Sequence, residues 1–385
     1  RSLDQDNQNT QNGNSMMRTA EGAVSSTVEI LKTLKEKAIN AANDTNTDDD
    51  RRTIQKEINQ MVDQIDDNAL ATYNGKYLVD GSRNSIGQAT CTTLSNSALS
   101  TSSAWGSSLT DLKSRTDESL NIQSTDNITV SYVRQGKTYT TTFSVGGTTL
   151  GAIFGKTAFN GTESLAGTDA IRAASTRDGA LIGYDKAKNS VYTADNKSAL
   201  SLEANNAGTT YQISSFTLSI TDNTGAIRKT ANTSLDMFNE RIRAENKSED
   251  NALVLQTGTR ANQAIKVSMT DMRSLALGLK GTDGSVLSVQ TQDKANAAIN
   301  TIETALQKAL DEQANIGAVQ TRLNYTSSNL TTASENVQNS ESTIRDADMA
   351  KEMTNYTKNN VLLQAAQSML AQANQNSSAV LSLLQ

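Results

Sequence analysis

Residues 299–344 read INTIETALQKALDEQANIGAVQTRLNYTSSNLTTASENVQNSESTI. Steps of seven from Ile302 land on Ala309, Ile316, Leu323, Leu330, Val337 and Ile344, all apolar. Ile299, Leu306, Val319 and Ala333 fill intermediate positions on the same side, and most of the rest is polar. A seven-residue apolar repeat with a partial second set is the seam of a long helix that packs along another helix. At ~1.5 Å per residue the stretch spans roughly 65–70 Å, the dimension of a rod. The seam is narrow and rich in Ala, so it requires a partner elsewhere in the chain.

Residues 1–43 supply that partner. Met17, Val24, Leu31 and Ala38 lie seven apart, and Ala20, Leu34 and Ala41 widen the face. Asn43 to Thr47 is a polar break with capping residues, followed by Asp48, Asp49 and Asp50, where a helix N-terminus favours negative charge. Ile54, Ile58, Met61 and Ile65 mark a second helix reaching about Leu70, and a short polar link makes the two an antiparallel hairpin. The expected helical-core packing set is Met17, Val24, Leu31, Ile302, Ile316, Leu323, Leu330, Val337 and Ile344, satisfied within the chain up to about Ile344.

The middle changes character. Tyr73 to Gly81 carries an Asn-Gly turn signal, and residues 82–126 are Ser/Thr-rich and poorly periodic. Ile128, Val130 and Tyr132 alternate, Gln135-Gly136 turns, and Tyr139, Phe143 and Val145 alternate again, which predicts a β-hairpin. Tyr211 with Ile213, then Phe216, Leu218 and Ile220, predict a strand pair or one bulged strand. Roughly 85–235 therefore reads as a β-rich insert. A helical stretch is expected near Ser234–Glu245, short strands at Leu253–Leu255 and Ile265–Met269, and the long helix from about Thr291.

From Asn359 to Gln385 no residue is charged. Val361, Leu362, Met369, Leu370, Leu381 and Leu384 stand there among Gln, Asn, Ser and Ala, an amphipathic pattern too polar for lipid and suited to burial against other subunits. The fold class is mainly α with a β-rich insert: an elongated, coiled-coil-like bundle of N- and C-terminal segments plus an outer β domain. The expected divisions are 1–81 and 251–345 for the helical core, 82–250 for the insert, and 346–385 for an assembly helix.

Composition narrows the function. The chain of 385 residues carries a formal charge of −6, which makes no case for nucleic acid or an anionic membrane. It has no His, the commonest general base and zinc ligand, and one Cys, Cys91, so no internal disulfide can form. It also has no Pro, against a usual share of about 5 %. Without X-Pro bonds no slow isomerisation delays folding, and long helices go unbroken, which suits a chain moved unfolded. No run of eighteen apolar residues suggests a spanning helix. Helical patterning starts directly after Arg1, so a preceding segment is expected.

Four near-motifs fail on chemistry. Gly151 to Thr157 approaches a phosphate-binding loop, but Leu150 stands where the first Gly is needed. Asp44 to Gln55 has the acidity of a calcium loop without its Gly at the sixth place or its Glu at the twelfth. Asp346 and Asp348 read as solvated charge on a helix flank, and Cys91 has no His to activate it. No constellation points to an enzyme, and no cofactor or metal is called for.

Arg1-Ser2-Leu3-Asp4-Gln5, Thr19-Ala20-Glu21-Gly22-Ala23-Val24, Ile54-Gln55-Lys56-Glu57-Ile58, Ile316 to Leu323, Ile344 to Ala350 and Leu370 to Gln375 together resemble bacterial flagellins. The resemblance covers about 1–81 and 251–385. It implies a helical core from paired terminal segments, an outward-facing β-rich middle, and polymerisation into a flagellar filament for motility. It further implies export unfolded through a type III apparatus, with a dedicated export chaperone and a cap protein as partners and an extracellular location. The family's N-terminal inner helix has no counterpart here, so 346–385 is expected to be disordered, or ordered only by partners. In some flagellins the first two core helices contact a Toll-like receptor. The matching positions are Thr33, Glu36, Lys37 and Glu57; the family pattern prefers Arg and Leu at Thr33 and Lys37, which implies a weak contact. The same features permit a hook–filament junction protein, or an adhesin or glycan-binding module in the insert.

Overall fold

The computed structural model describes residues 1–155, 171–174, 181–346 and 348–383. In chain order it runs α1 (Ser2–Ala42), α2 (Asp48–Ala69), β1 (Thr72–Tyr73), β2 (Lys76–Tyr77), β3 (Thr93–Asn96), β4 (Asn127–Arg134), β5 (Lys137–Ser144), α3 (Leu150–Gly155) and β6 (Ile171–Ala174). Then follow β7 (Leu181–Tyr184), β8 (Ser190–Tyr192), β9 (Leu200–Ala204), β10 (Ile213–Thr221), α4 (Lys229–Leu235), β11 (Phe238–Ile242), β12 (Leu253–Gln256), β13 (Ala264–Val267), α5 (Ser274–Leu277), α6 (Gln292–Arg345) and α7 (Met349–Leu383).

The α1–α2 hairpin is set by capping. Thr47 Oγ1 accepts from the Asp50 backbone N–H (3.3 Å), while the Thr47 N–H donates to Asp50 Oδ2 (3.0 Å). The Thr47 hydroxyl also donates to that carboxylate and holds its pKa below the usual range. Arg51, buried in the first turn of α2, reaches back to the end of α1, donating to the carbonyls of Ala41 (2.9 Å) and Asn43 (3.1 Å). The last carbonyls of α1 thus find a charged donor instead of water.

α6, at 54 residues about 80 Å long, runs antiparallel to α1. Lys35 pairs with Glu303 (3.1 Å), Gln320 donates to Glu21 (2.7 Å), Asn14 to Asn324 (2.8 Å), and Ser334 to Asp4 (2.9 Å). Between these polar flanks Met17, Val24, Leu31, Ile302, Ile316 and Leu323 are buried in one core with Ile54, Ile58, Val62 and Ile65 of α2. Ala at 20, 38, 298, 305 and 309 lets the helices approach closely.

The far end of the seam departs from expectation. Leu330 is only half-buried, Val337 is 56 % exposed and Ile344 84 % exposed. The heptad continues, but the partner does not: Asp4 of α1 already lies opposite Ser334, so the described helix facing α6 runs out there.

Among the described residues the middle forms three antiparallel sheets, ordered β10-β4-β5, β11-β3-β9-β6 and β7-β8. Ile128, Val130, Tyr132, Phe216, Leu218 and Ile220 share one face and bury a second core, where Tyr132 stacks on Tyr139 (4.8 Å) and Phe238 meets Phe216 edge-on (5.1 Å). The β4–β5 turn has Gln135 and Gly136 both at positive φ (50° and 71°). A Cβ on Gly136 would lie 2.3 Å from the Ser285 carbonyl oxygen, so the hairpin tip docks on the segment leading to α6.

Two further expectations change. The helix expected near Ser234–Glu245 is instead the end of α4 followed by β11. Phe238, Glu240 and Ile242 alternate, and β11 pairs with β3, so a period of two wins over local helix propensity. Residues 346–385, expected to be disordered or ordered only by partners, form α7 over Met349–Leu383. That segment has no Gly or Pro and is rich in Ala, Leu, Gln and Met, so its own propensity suffices to specify helix. No described helix is long and apolar enough to cross a membrane.

Candidate assembly surfaces

Three sets of residues stood out in the sequence, and the structure places them differently. The core-packing set lies inside the α1–α2–α6 bundle as far as Leu323 and emerges from it beyond. The contact it leaves uncovered runs from Leu330 through Val337 to Ile344 on α6.

The second set lies on α7. Val361, Leu362, Met369, Leu370 and Leu381 are 58, 55, 70, 66 and 67 % exposed. Leu384 lies outside the described residues. Leu362 and Met369 are seven apart, with Ala366 and Ala373 a turn beyond each, so an apolar stripe follows one side of the helix. Among the described residues, no hydrogen bond or ion pair joins α7 to the bundle. Burying a side chain of this size is worth about 1.5–3 kcal/mol. A charge-free stripe of them stands exposed to water.

The third set, on the outer faces of α1 and α2, is drawn partly into the fold. Lys37 Nζ pairs with Glu57 Oε2 at 2.5 Å, bridging the two helices. Thr33 bonds back to the Glu29 carbonyl (3.1 Å), and Glu36 is exposed. Lys37 and Glu57 thus come together, while Thr33 and Glu36 lie separately on α1.

Sequence reading missed Arg51, which seals the hairpin, and Gln55, which joins α2 to the segment before α6. Both are buried polar residues on an otherwise apolar helix face, at 51-54-55-58 spacing, and that was the available signal. It also missed Glu240 and Lys308, which pair where β11 meets α6, and Glu312, buried on α6 against Thr270. Asp4 accepts from the Ser334 hydroxyl, which holds its pKa low.

Comparison with known proteins agrees with this layout. Residues 1–84 match the family model of the bacterial flagellin N-terminal helical region, and residues 299–384 that of the C-terminal helical region. A flagellin of Clostridium tyrobutyricum is 32 % identical over 375 residues, covering 97 % of this chain and 84 % of that protein. A flagellin of Bacillus subtilis is 43 % identical over 149 residues, 34 % of this chain and 49 % of that one. Among solved structures, FliC from Burkholderia pseudomallei superposes with a TM-score of 0.29 at 16 % identity, covering 80 % of this chain and 99 % of its own; that overlap adds nothing to the sequence relationship. Two matched helical ends and a relative aligned along nearly the whole chain place this protein in the bacterial flagellin family, as a structural subunit of the flagellar filament.

Proposed function

We propose that residues 1–81 and 251–345 are the helical core of the subunit, that 82–250 form the insert carried on its outer side, and that 346–385 make the contacts between subunits. The observation that carries this reading is the contrast between the two ends of one helical track. Ile302, Ala309, Ile316 and Leu323 are buried within the chain, whereas Val337, Ile344 and the large apolar residues of α7 are exposed. An uncharged apolar stripe that no described element covers is a surface that neighbouring subunits of a filament can bury.

In this reading the protein acts by assembly, not by catalysis. It is secreted unfolded by the flagellar export machinery, with a dedicated export chaperone and a cap protein as its partners. The absence of Pro from the sequence suits such a route. Receptor contact through Thr33, Glu36, Lys37 and Glu57 is weak, because Lys37 is already engaged by Glu57. In a reporter-cell assay Thr33→Arg with Lys37→Leu should raise signalling; strong signalling by the unaltered chain at low dose would contradict this.

The deciding experiment is electron microscopy of full-length protein under polymerising conditions. Leu362→Asp and Leu370→Asp should abolish filaments while the circular dichroism melt of the α1–α2–α6 bundle stays unchanged. Normal filaments from both variants would overturn the assignment of α7.

A further inference from the structure

The β-rich middle meets α6 through three buried side chains of complementary chemistry. Lys308 of α6 has a side chain only 7 % exposed, and its Nζ lies 3.3 Å from Glu240 Oε1 of β11, itself 7 % exposed. Gln212, just before β10, is buried as well. Oriented to satisfy both its ends, its amide donates to the Ala276 carbonyl (3.1 Å) and presents its own carbonyl oxygen to Lys308 Nζ at 2.5 Å. An amine, a carboxamide and a carboxyl group thus converge on one amine nitrogen.

Rigid elements hold them there. Ser214 donates to the Gly278 carbonyl (3.1 Å) and Ser215 to the Ala297 carbonyl (3.2 Å), which pins the start of β10 beside the end of α5 and against α6. Glu240 is fixed from the other side, since β11 pairs with β3 and sets Glu240 opposite Leu94. Just beyond β11, Arg243 pairs with Asp311 of α6, a second fastening of this part of the chain to the same helix. Groups held in contact in this way react as if present at about 10⁵–10⁸ M.

The chemistry of the three groups is that of amide exchange. Burial pushes the Lys308 pKa down, with Glu240 acting against it, so its neutral form is more accessible than that of a surface lysine. A desolvated lysine amine is a nucleophile, and the carbonyl carbon of a carboxamide is its electrophile. The carboxyl group beside the amine can carry protons between them.

We propose that Lys308 and Gln212 form an intramolecular isopeptide bond, with Glu240 as the proton carrier, tying the insert covalently to α6. Glu240 takes a proton from the Lys308 ammonium, and the neutral Nζ attacks Cδ of Gln212. A second Nζ proton passes to Nε2 of the tetrahedral adduct. The Cδ–Nε2 bond then breaks, the carbonyl re-forms, and ammonia leaves with the proton that Glu240 has held. The balance is one ammonium side chain and one primary amide in, one secondary amide and one ammonium ion out. Nothing is oxidised or reduced, and no co-reactant is consumed. A cavity of about 360 Å3 lined in part by Lys308 and Ala276 has room to receive the leaving group.

Intact-mass measurement on the full chain, folded at neutral pH and then denatured, tests this. The unaltered chain should be lighter than its sequence by about 17 Da, one ammonia. Its tryptic digest should contain a branched peptide joining Gln212 to Lys308, with no cleavage after Lys308. Lys308→Met and Glu240→Gln should each show the full mass of their sequence. Full sequence mass in the unaltered folded chain would overturn the bond, with no variant needed. The same loss in Lys308→Met would overturn it too, assigning the ammonia to ring closure at an Asn-Gly pair such as Asn74-Gly75. The branched peptide forming undiminished in Glu240→Gln would overturn the role of Glu240.

Discussion

Gln55 Oε1 accepts a hydrogen bond from the Val289 backbone N–H at 2.7 Å, across 234 residues of sequence. The same amide donates from Nε2 to the Leu287 carbonyl at 2.9 Å. Gln55 therefore serves the extended segment before α6 as a neighbouring strand would, and it does so from within a buried helix face. Gln55→Leu keeps the volume but strands a buried N–H and a buried carbonyl. The expected loss is roughly 2–3 kcal/mol, read by urea denaturation with a shifted midpoint and unchanged slope.

The break in the α6 seam predicts unequal costs for similar truncations. Leu323→Ala removes a fully buried side chain and should cost about 2–5 kcal/mol of subunit stability. Val337→Ala, at a position more than half exposed, should change subunit stability by less than ~0.5 kcal/mol. Filament formation should respond to both, which polymerisation rates beside denaturation curves would show.

Two helix-interior glycines have open space where a Cβ would go, Gly22 of α1 and Gly317 of α6. Gly22→Ala and Gly317→Ala should each stabilise the isolated subunit by roughly 0.5–1 kcal/mol through helix propensity alone. Thermal melts of the two single variants check this.

The cap of α2 should be pH-dependent. Hydrogen bonding from Thr47 keeps the Asp50 carboxyl below its usual range, so its contribution is present at neutral pH and is lost as pH falls through that lowered value. Thr47→Ala should cost about 1 kcal/mol near pH 7. The gap between the variant and the unaltered chain should narrow as pH falls below the usual carboxylate range.

Much of the fold was legible because its periodicities are long and unbroken. A heptad over 46 residues, matched by one in residues 1–43, fixes two helices and their mutual face without reference to anything else. The Gln135-Gly136 turn between alternating runs fixes a hairpin in the same local way. The pairing of β10 with β4 was not legible, although both strands were: Phe216 meets Tyr132 across more than eighty residues, and alternation says which face is buried, not which strand lies beside it. β11 was misread because short apolar spacing near Phe238 suits either period, and only the neighbouring β3 decides.

What the sequence determined by itself is the helix from about Thr291 to Ile344 and the residues that stripe it, because helix is specified within a few turns. Where that track stops being core and becomes surface was decided by tertiary structure. The heptad runs unchanged through Leu330, Val337 and Ile344, yet burial ends after Leu323, since a side chain is buried only where another element lies against it. The same holds for Lys308, an ordinary surface residue in sequence, which is buried on α6 where Glu240 of β11 pairs with it.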